Sequence, residues 1–181
     1  VTVRAGVTGE LAGYGKAWSV GAGWFDYDDD GDLDLFVVNY CVWSVEKDHR
    51  CGAPKPGYRT YCHPDMYDPL PNILYRNEGD GTVSDVSAAS GIGAHRGKGM
   101  GVAFADYDSD GRLDVFISND AWRNFLFRNR GDGTFEETGL YAGVGYIDAG
   151  RPVSGMGADF RDYDEDGWPD IFMTALSNET F

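Results

Sequence analysis

Positive charge is scarce in this chain. Only 15 lysines and arginines stand against 30 aspartates and glutamates, so the formal net charge is −15. Such a surface repels the phosphates of nucleic acids, so we expect no nucleic-acid partner. Long apolar runs are missing as well, because no stretch approaches the roughly 18 apolar residues of a membrane span. We therefore expect an acidic chain without a transmembrane helix, whose acidity favours cationic or calcium-bridged partners.

The signatures of common enzyme classes are also absent. The sequence contains no G-x-S-x-G elbow, no H-E-x-x-H helix and no phosphate-binding P-loop. His95, beside Arg96 and Lys98, could act as an acid or a base, although a single histidine in a glycine-rich turn is more often a surface residue. The many carboxylates could form a glycosidase pair, but their regular spacing indicates a metal role first. Catalysis stays open as an alternative and is not the leading hypothesis.

One acidic loop of nine residues occurs three times, as DYDDDGDLD from Asp26 to Asp34, DYDSDGRLD from Asp106 to Asp114 and DYDEDGWPD from Asp162 to Asp170. Aspartates at positions 1, 3 and 5 bring hard carboxylate oxygens together, and the glycine at position 6 allows a sharp reversal. Calcium takes about six to eight oxygen ligands. A solvated acidic run would need neither the alternation nor the glycine, so the pattern predicts one Ca²⁺ in each of the three loops.

The predicted ligands follow from the loop positions. The carboxylates at positions 1, 3, 5 and 9 would bind the ion, with position 9 bidentate. The main-chain carbonyl at position 7 is added by analogy with such loops, since the side chain there varies. The candidate ligands are Asp26, Asp28, Asp30, Asp32 and Asp34 in the first loop, Asp106, Asp108, Asp110, Arg112 and Asp114 in the second, and Asp162, Asp164, Asp166, Trp168 and Asp170 in the third.

An EF-hand loop opens in the same way, but it closes with a glutamate at position 12 and lies between two helices. Position 12 is here Val37, Ile117 or Met173. The flanking segments VGAGWF and LFVVNY are short and rich in aromatic and β-branched residues, which favours strands. Each loop is therefore predicted to join two β-strands.

The repeat extends on both sides of the loop. Small residues and a phenylalanine precede it, an apolar strand follows, and two copies continue into NILYRNEGDGT at Asn72 to Thr82 and NFLFRNRGDGT at Asn124 to Thr134. Asp-Gly in these segments is a strong hairpin signal. Units of four short strands and about 40 to 60 residues are typical of propeller blades. The predicted fold class is all-β, with β-propeller blades of four-stranded antiparallel sheets and calcium-binding hairpin loops, forming a partial propeller.

One blade connection carries an insertion, roughly Cys41 to Pro69, that holds all three cysteines. Cys51 and Cys62 close a short loop suited to a disulfide, which would staple the insertion. Cys41 is then either free and buried or paired with something outside the chain. A zinc or copper site built from these two cysteines with His49 and His63 is an alternative, and unpaired thiols are another.

The repeated pattern GxGxxFxDYDxDGxxDxF resembles the FG-GAP repeats, or VCBS-type repeats, of integrin-α-like propellers. Together with the LYRNxGDGTxxDVSxxSGI segment after a cysteine-containing insertion, it is similar to bacterial relatives of cartilage acidic protein. The resemblance covers essentially the whole chain and implies a calcium-binding propeller. It carries the calcium ligands over to Asp26, Asp28, Asp30 and Asp34, and to their equivalents in the other two loops. The one departure within the repeats is Val83, where the sister turn has a phenylalanine.

Residues 1–181 are expected to be a fragment of one propeller domain, with 41–69 as an insertion loop within it. Val1 to Glu10 resembles the last strand of a preceding blade, and Phe181 stands where a further strand should begin. Calcium loops of this kind would be largely empty in the cytosol, and disulfides persist in oxidising compartments. A secreted, extracellular or periplasmic location is therefore expected.

Three functions fit these features. The leading hypothesis is a non-catalytic, calcium-stabilised extracellular module for adhesion, assembly, or carbohydrate or protein binding. A second is part of a propeller hydrolase or lyase whose catalytic residues lie partly outside this chain. A third is a fibre-forming subunit in which neighbouring chains complete one another's blades by self-assembly. Recognition is expected in the insertion, where rigid aromatic side chains favour binding, namely Trp43, Tyr58, Tyr61 and Tyr67.

Overall fold

A computed structural model describes residues 10–11 and 15–176. Of the strand expected from Val1 to Glu10, only Glu10 lies among the described residues, as the first residue of β1, and the expected interruption at Phe181 lies outside them. Among the described residues no helix is long and apolar enough to cross a membrane. The strands are β1 Glu10–Leu11, β2 Gly15–Phe25, β3 Asp34–Val42, β4 Cys51–Gly52, β5 Arg59–Thr60, β6 Leu70–Pro71, β7 Ile73–Asn77, β8 Val83–Asp85, β9 Arg96–Gly97, β10 Gly99–Ala105, β11 Asp114–Asn119, β12 Phe125–Asn129, β13 Phe135–Glu137, β14 Ala158–Arg161 and β15 Asp170–Met173.

The strands form repeated antiparallel blades, which confirms the all-β prediction. The first sheet has the order β1-β2-β3-β7-β8, and the second has the order β10-β11-β12-β13. Their registers correspond, because Phe36 pairs with Leu74 in the first blade and Phe116 pairs with Leu126 in the second. A third hairpin, β14-β15, repeats the first two strands of a blade. The described part of the chain is thus a partial propeller.

The second strand of each complete blade is almost wholly buried. All six residues of β11 are buried, as are the first six of β3. A strand covered on both faces needs an uninterrupted apolar run, which LFVV and VFI supply. No α-helix flanks any acidic loop in the described residues, so the EF-hand alternative is excluded.

The innermost strands β2, β10 and β14 bring neighbouring blades together. Phe104 of β10 stacks on Phe25 of β2 with ring centroids 4.5 Å apart. Gly23 makes room for this stacking, since a Cβ there would lie 2.3 Å from Cε2 of Phe104. The shared core then continues across both blades through Phe25, Tyr27, Phe36, Val38, Leu74, Ile92, Val115, Ile117, Phe125, Phe127 and Phe135.

The insertion forms a small substructure of its own beside the first blade. Its strands β4 and β5 make a hairpin, and a disulfide joins Cys51 to Cys62. This confirms the predicted pairing and excludes the zinc alternative, because both thiols are consumed. Cys41 is free and buried, and it meets Pro69 in an isolated antiparallel bridge. Short 3-10 turns at Val45–Lys47 and Pro64–Met66 complete the insertion, and a third lies at Ile92–Ala94.

A buried lysine connects the insertion to the second blade. The side chain of Lys98 is 2% exposed, and its Nζ lies 3.5 Å from Oδ1 of Asp65 in the insertion. The same ammonium lies 5.3 Å from the ring centroid of Trp122. A charge at this depth needs partners, and the insertion provides the carboxylate. Close by, the hydroxyl of Tyr40 donates to Oδ2 of Asp120 at 2.6 Å, which ties the two blades directly.

Candidate metal centres

The three acidic loops occupy the same place in their blades. Each joins the innermost strand to the second strand, as β2 to β3, β10 to β11 and β14 to β15. The glycine at position 6 has a positive φ in every loop, 91° at Gly31, 89° at Gly111 and 93° at Gly167. These angles are strained for any other residue, which accounts for the repeated glycine.

Position 4 of each loop also has a left-handed backbone conformation, which was not predicted from the sequence. Its φ is 59° at Asp29, 59° at Ser109 and 61° at Glu165. Non-glycine residues adopt this region at a cost. The reversal is thus spread over positions 4 and 6, and it turns the intervening main-chain N–H groups toward the carboxylate at position 1.

The position 1 carboxylate organises the turn from inside. In the first loop Oδ1 of Asp26 accepts the N–H of Asp30 at 3.2 Å, and Oδ2 accepts the N–H of Gly31 at 3.0 Å. The same two bonds recur at Asp106 and at Asp162. Each carboxylate oxygen keeps a second lone pair, so these bonds leave acceptor capacity for a cation.

The position 9 carboxylate anchors the loop to the rest of the blade. Oδ2 of Asp34 accepts the N–H of Tyr27 at 3.0 Å, and Oδ1 accepts the N–H of Asn77 at 2.8 Å. In the second blade Asp114 accepts from Tyr107 at 3.1 Å and from Asn129 at 2.8 Å. Both aspartates are fully buried, so their orientation is determined by the sheet.

In every loop the carboxylates at positions 1, 3 and 9 converge. One oxygen from each of the three lies within 4.8 Å of the others, in the groups Asp26, Asp28 and Asp34, then Asp106, Asp108 and Asp114, then Asp162, Asp164 and Asp170. The position 5 aspartates do not belong to these groups. Their Oδ1 atoms instead accept the N–H of position 7, at 2.9 Å for Asp30.

Two buried oxygen atoms in these groups have no hydrogen-bond partner. Oδ1 of Asp28 and Oδ1 of Asp108 are buried and accept no hydrogen bond. A buried, unpaired carboxylate oxygen is costly in a folded protein. A hard divalent cation beside it would satisfy it, and the neighbouring donors are all oxygens, as Ca²⁺ prefers. The residues of the first two loops therefore fit a calcium ion.

The electrostatics of the carboxylate clusters also favour a bound cation. Burial raises the pKa of Asp34 to about 6, although the N–H groups of Tyr27 and Asn77 oppose the shift. Burial likewise raises the pKa of Asp114 to about 6 against its own backbone donors. The pKa of Asp28 is raised by burial first and then by the adjacent Asp30 and Asp26 carboxylates. Crowded acids of this kind are relieved when a cation shares their charge.

Position 7 differs between loops in a way that changes the local charge. Arg112 of the second loop forms an ion pair with the position 5 carboxylate of Asp110, and its Nε donates to the carbonyl of Asn129 at 3.4 Å. The first loop has Asp32 at that position, beside Gly79 of the following turn. The second loop is thus the least acidic of the three.

Sequence reasoning missed the part that the Arg-Asn dipeptide has in the site. Asn77 and Asn129 donate their main-chain N–H groups to position 9, and the amide of Asn129 also donates to the carbonyl of Tyr27 in the first blade at 2.7 Å. Arg128 lies 4.0 Å from Oδ2 of Asp108. The sequence signal for this role is the Arg-Asn pair that LYRN and LFRN share. A polar pair repeated at the end of an apolar strand indicates a contact with the acidic loop.

The third loop has the same internal turn in a more open setting. Asp170 accepts the N–H of Tyr163 at 3.2 Å, and it is only partly buried. Tyr163 is 78% exposed, whereas its equivalent Tyr27 is 4% exposed and packs against Phe135 of the second blade. In the first loop the tyrosine at position 2 is therefore a blade-to-blade contact, which the third loop lacks among the described residues.

His95 differs from its expected surface position. Its ring is half-buried and packs edge-on against Phe125 and Phe127, with centroids 6.0 Å and 5.4 Å away. Burial lowers its pKa, an effect that Glu137 opposes and Arg123 reinforces. The ring therefore packs within the second blade.

The family follows from the matched residues. The FG-GAP-like repeat matches at residues 66–117 and again at 106–173, which together cover more than half of the chain and include the second and third acidic loops. The chain belongs to the FG-GAP-like repeat family. The matched residues contain the β10-β11 and β14-β15 hairpins, which hold the second and third acidic clusters.

Three curated relatives share the name cartilage acidic protein 1. The Homo sapiens protein is 30% identical over 171 residues, 94% of this chain and 22% of the relative. The Mus musculus protein is 37% identical over 171 residues, 94% of this chain and 22% of the relative. The Xenopus tropicalis protein is 41% identical over 49 residues, 27% of this chain and 8% of the relative. This chain therefore spans 22% of the length of the human and mouse relatives.

Proposed function

We propose that this chain is a non-catalytic, calcium-stabilised extracellular propeller module that binds a protein or carbohydrate partner, in adhesion or assembly. The observation that carries the calcium assignment is the buried, unpaired Oδ1 atom of Asp28, repeated at Asp108. Each belongs to a cluster of three converging carboxylates. We assign one Ca²⁺ to each of the three loops.

Calcium would act here as a structural ion. The carboxylates at positions 1, 3 and 9 come from a turn and from the first residue of the second strand, so an ion bound by all three joins both ends of the hairpin. Without it, like charges within a few ångströms repel one another. Because only the folded hairpin presents the three oxygens together, binding would stabilise the folded state by mass action.

The test is to remove the ion and to count it. Dialysis against a chelator should lower the melting temperature, and added CaCl₂ should restore it, because a ligand of the folded state stabilises that state. Elemental analysis of the reloaded protein should find three calcium ions per chain. A melting temperature unchanged by the chelator, in protein shown to be free of metal, would reject the proposal.

The extracellular location rests on two observations. The disulfide between Cys51 and Cys62 is typical of oxidising compartments. The relatives are named after cartilage, and we carry that extracellular setting over to this chain as part of the proposal. The binding role rests on the disulfide-bonded insertion, which lies at the end of β3 remote from the acidic loop. The side chains of Trp43, Tyr58 and Tyr61 in it are exposed to solvent.

A further inference from the structure

A groove runs between the insertion and the first blade. Two cavities, of about 570 Å³ and about 590 Å³, adjoin each other and share the side chains of Trp18 on β2 and Trp43 at the start of the insertion. Cavities of roughly 300 to 1,000 Å³ are the size of small-ligand sites. The two indoles therefore lie between two ligand-sized spaces in one extended groove.

The indoles present open faces to this groove. Trp18 is 46% exposed and Trp43 is 36% exposed. Their ring centroids are 5.5 Å apart at an angle of 56°, and the ring of Tyr40 supports Trp18 edge-on at 5.7 Å. Large aromatic surface that stays exposed, yet is held in place by other rings, indicates a binding surface.

A polar network stiffens the wall behind the rings. The carboxylate of Asp48 accepts the indole N–H of Trp43 at 3.1 Å and the hydroxyl of Tyr67 at 3.0 Å, and it forms an ion pair with Arg59. The Cys51–Cys62 disulfide closes the hairpin that carries Arg59. The groove is thus organised before any ligand arrives, which reduces the entropy lost on binding.

The insertion is electrically balanced, unlike the rest of the chain. Residues 41–69 contain four acidic and four basic side chains, so the net charge of −15 arises wholly outside the insertion. The insertion itself therefore contributes no net charge that would select a strongly charged ligand. Hydroxyl and other polar groups, from Ser19, Ser44, Thr60 and His49, stand along the two cavities.

We propose that this groove binds a neutral oligosaccharide, with sugar rings stacked on Trp18 and Trp43. The C–H face of a pyranose is apolar and weakly positive, so it fits the negative face of an indole. The sugar hydroxyls find donors and acceptors along both cavities, and the two cavities in series accommodate several linked sugars. This inference deepens the proposed binding role and rests on it.

Two other occupants fit the groove less well. A quaternary ammonium group binds best where a free carboxylate lies beside the rings. Asp48 on the first cavity is already paired with Arg59, and Glu46 on the second cavity also has a partner. A peptide that binds by strand addition needs a free strand edge for main-chain hydrogen bonds. The strands nearest the groove in the insertion, β4 and β5, have two residues each and pair with one another.

The experiment uses the calcium-loaded protein on an array of neutral oligosaccharides of one to six units, with sulfated oligosaccharides, trimethyllysine peptides and proline-rich peptides on the same array. We expect binding to neutral sugars only, with affinity that rises from one unit to about four. Titration of a hit should change the tryptophan fluorescence. Trp18→Ala should weaken binding about tenfold or more, and Trp18→Tyr should restore part of it.

The matched control is Trp24→Ala, because Trp24 lies on the same strand, is 48% exposed and lines neither cavity. It should leave the affinity within about twofold of the original value. Each variant is compared at equal calcium content and with the disulfide intact. Reduction of the disulfide should weaken sugar binding without a loss of calcium.

Three results would overturn the inference: no neutral sugar bound by calcium-loaded, folded protein, binding confined to the charged or peptide probes, or sugar binding that Trp18→Ala leaves unchanged. A failure here leaves the calcium count and the chelator-dependent melting temperature as they were. Failure of the calcium proposal is seen instead in those two measurements, so the two failures are distinguishable.

Discussion

At the scale of single residues, the third position of each acidic loop is the most informative. Asp28→Ala and Asp108→Ala each remove the carboxylate whose Oδ1 atom is buried and unpaired. A methyl group cannot replace an oxygen ligand, so each change should remove one calcium ion. Asp164→Ala should do the same in the third loop. Elemental analysis is expected to find two ions per chain in each single variant, and the losses should be nearly additive because the sites lie in separate blades.

The control for these variants is Asp80→Ala. Asp80 is another aspartate near an acidic loop, but its carboxylate accepts hydrogen bonds only within its own turn, from Thr82. It should lower the stability only slightly and leave three ions bound. Single loop variants that still hold three ions would show that these loops are not the sites.

The second residue-scale prediction concerns Arg112. Its guanidinium forms an ion pair with Asp110 beside the second carboxylate cluster. The positive charge of Arg112 repels Ca²⁺ there and competes with it for the carboxylate. Arg112→Gln should therefore strengthen calcium binding at the second loop, by about fivefold at low salt, because the pair is partly exposed and screened. Calorimetric titration measures this change.

Arg130→Gln removes the same charge from an exposed position in the neighbouring turn and serves as the control for Arg112→Gln. It should change the affinity little. Equal effects of the two substitutions would indicate a general charge effect and contradict the role given to the Arg112–Asp110 pair.

At the scale of elements, blade packing depends on where glycines allow close approach. A Cβ at Gly23 would lie 2.3 Å from a ring atom of Phe104, whereas a Cβ at Gly21 meets nothing closer than 3.7 Å. Gly23→Ala should therefore destabilise the protein by about 1 to 3 kcal/mol, since the stacked phenylalanines must move. Gly21→Ala, two residues earlier on β2, should change the stability by less than about 0.5 kcal/mol. Denaturant unfolding gives the free energy of unfolding of both variants. Similar destabilisation by both would mean that the loss of glycine from the strand, and not the contact between the blades, is responsible.

We expect the insertion to lose its structure independently of the blades. Cys51→Ser with Cys62→Ser opens a loop of about a dozen residues, for which the chain-entropy estimate is roughly 3 kcal/mol. Hydrogen exchange should rise across residues 41–69, because β4 and β5 belong to no blade sheet. The calcium content should stay at three ions.

Cys41→Ala is the comparison for the double variant, since it removes a thiol that is buried and free. It should leave exchange in the β4–β5 hairpin slow. A loss of calcium in the double variant would show that the insertion supports the acidic loops, contrary to the prediction.

At the scale of the whole molecule, the charge of −15 should dominate the behaviour of the calcium-free protein. Raising NaCl from 0.01 M to 0.15 M shortens the Debye length from about 30 Å to about 8 Å and screens the repulsion. The melting temperature of the chelated protein should rise by several degrees, and that of the calcium-loaded protein should rise much less, because three ions offset six charges. MgCl₂ at matched ionic strength should not replace CaCl₂, since Mg²⁺ demands a tighter octahedral shell. Equal salt dependence with and without calcium would contradict this account.

Much of the architecture could be predicted because it repeats. The loop DYDxDG, the apolar strand after it and the GDGT turn each depend on neighbours in sequence, so their periodicity identified four-stranded blades and the strand-to-strand placement of every loop. The Cys51–Cys62 disulfide was predictable for the same reason, as a short closure within one segment. The calcium ligands remain a prediction, and the convergence of positions 1, 3 and 9 supports them.

What the sequence determined by itself is local: the chemistry of the acidic loops, the glycine that reverses them, and the alternation of strands and turns. The tertiary structure decided what depends on residues far apart in the chain. It buried Lys98 beside Asp65 of the insertion, placed the amide of Asn129 on the carbonyl of Tyr27 in the neighbouring blade, and set Trp18 beside Trp43 in one groove. The reason is physical, because a repeat pattern specifies which face of a strand is buried, whereas the partner on that face depends on how the blades and the insertion pack.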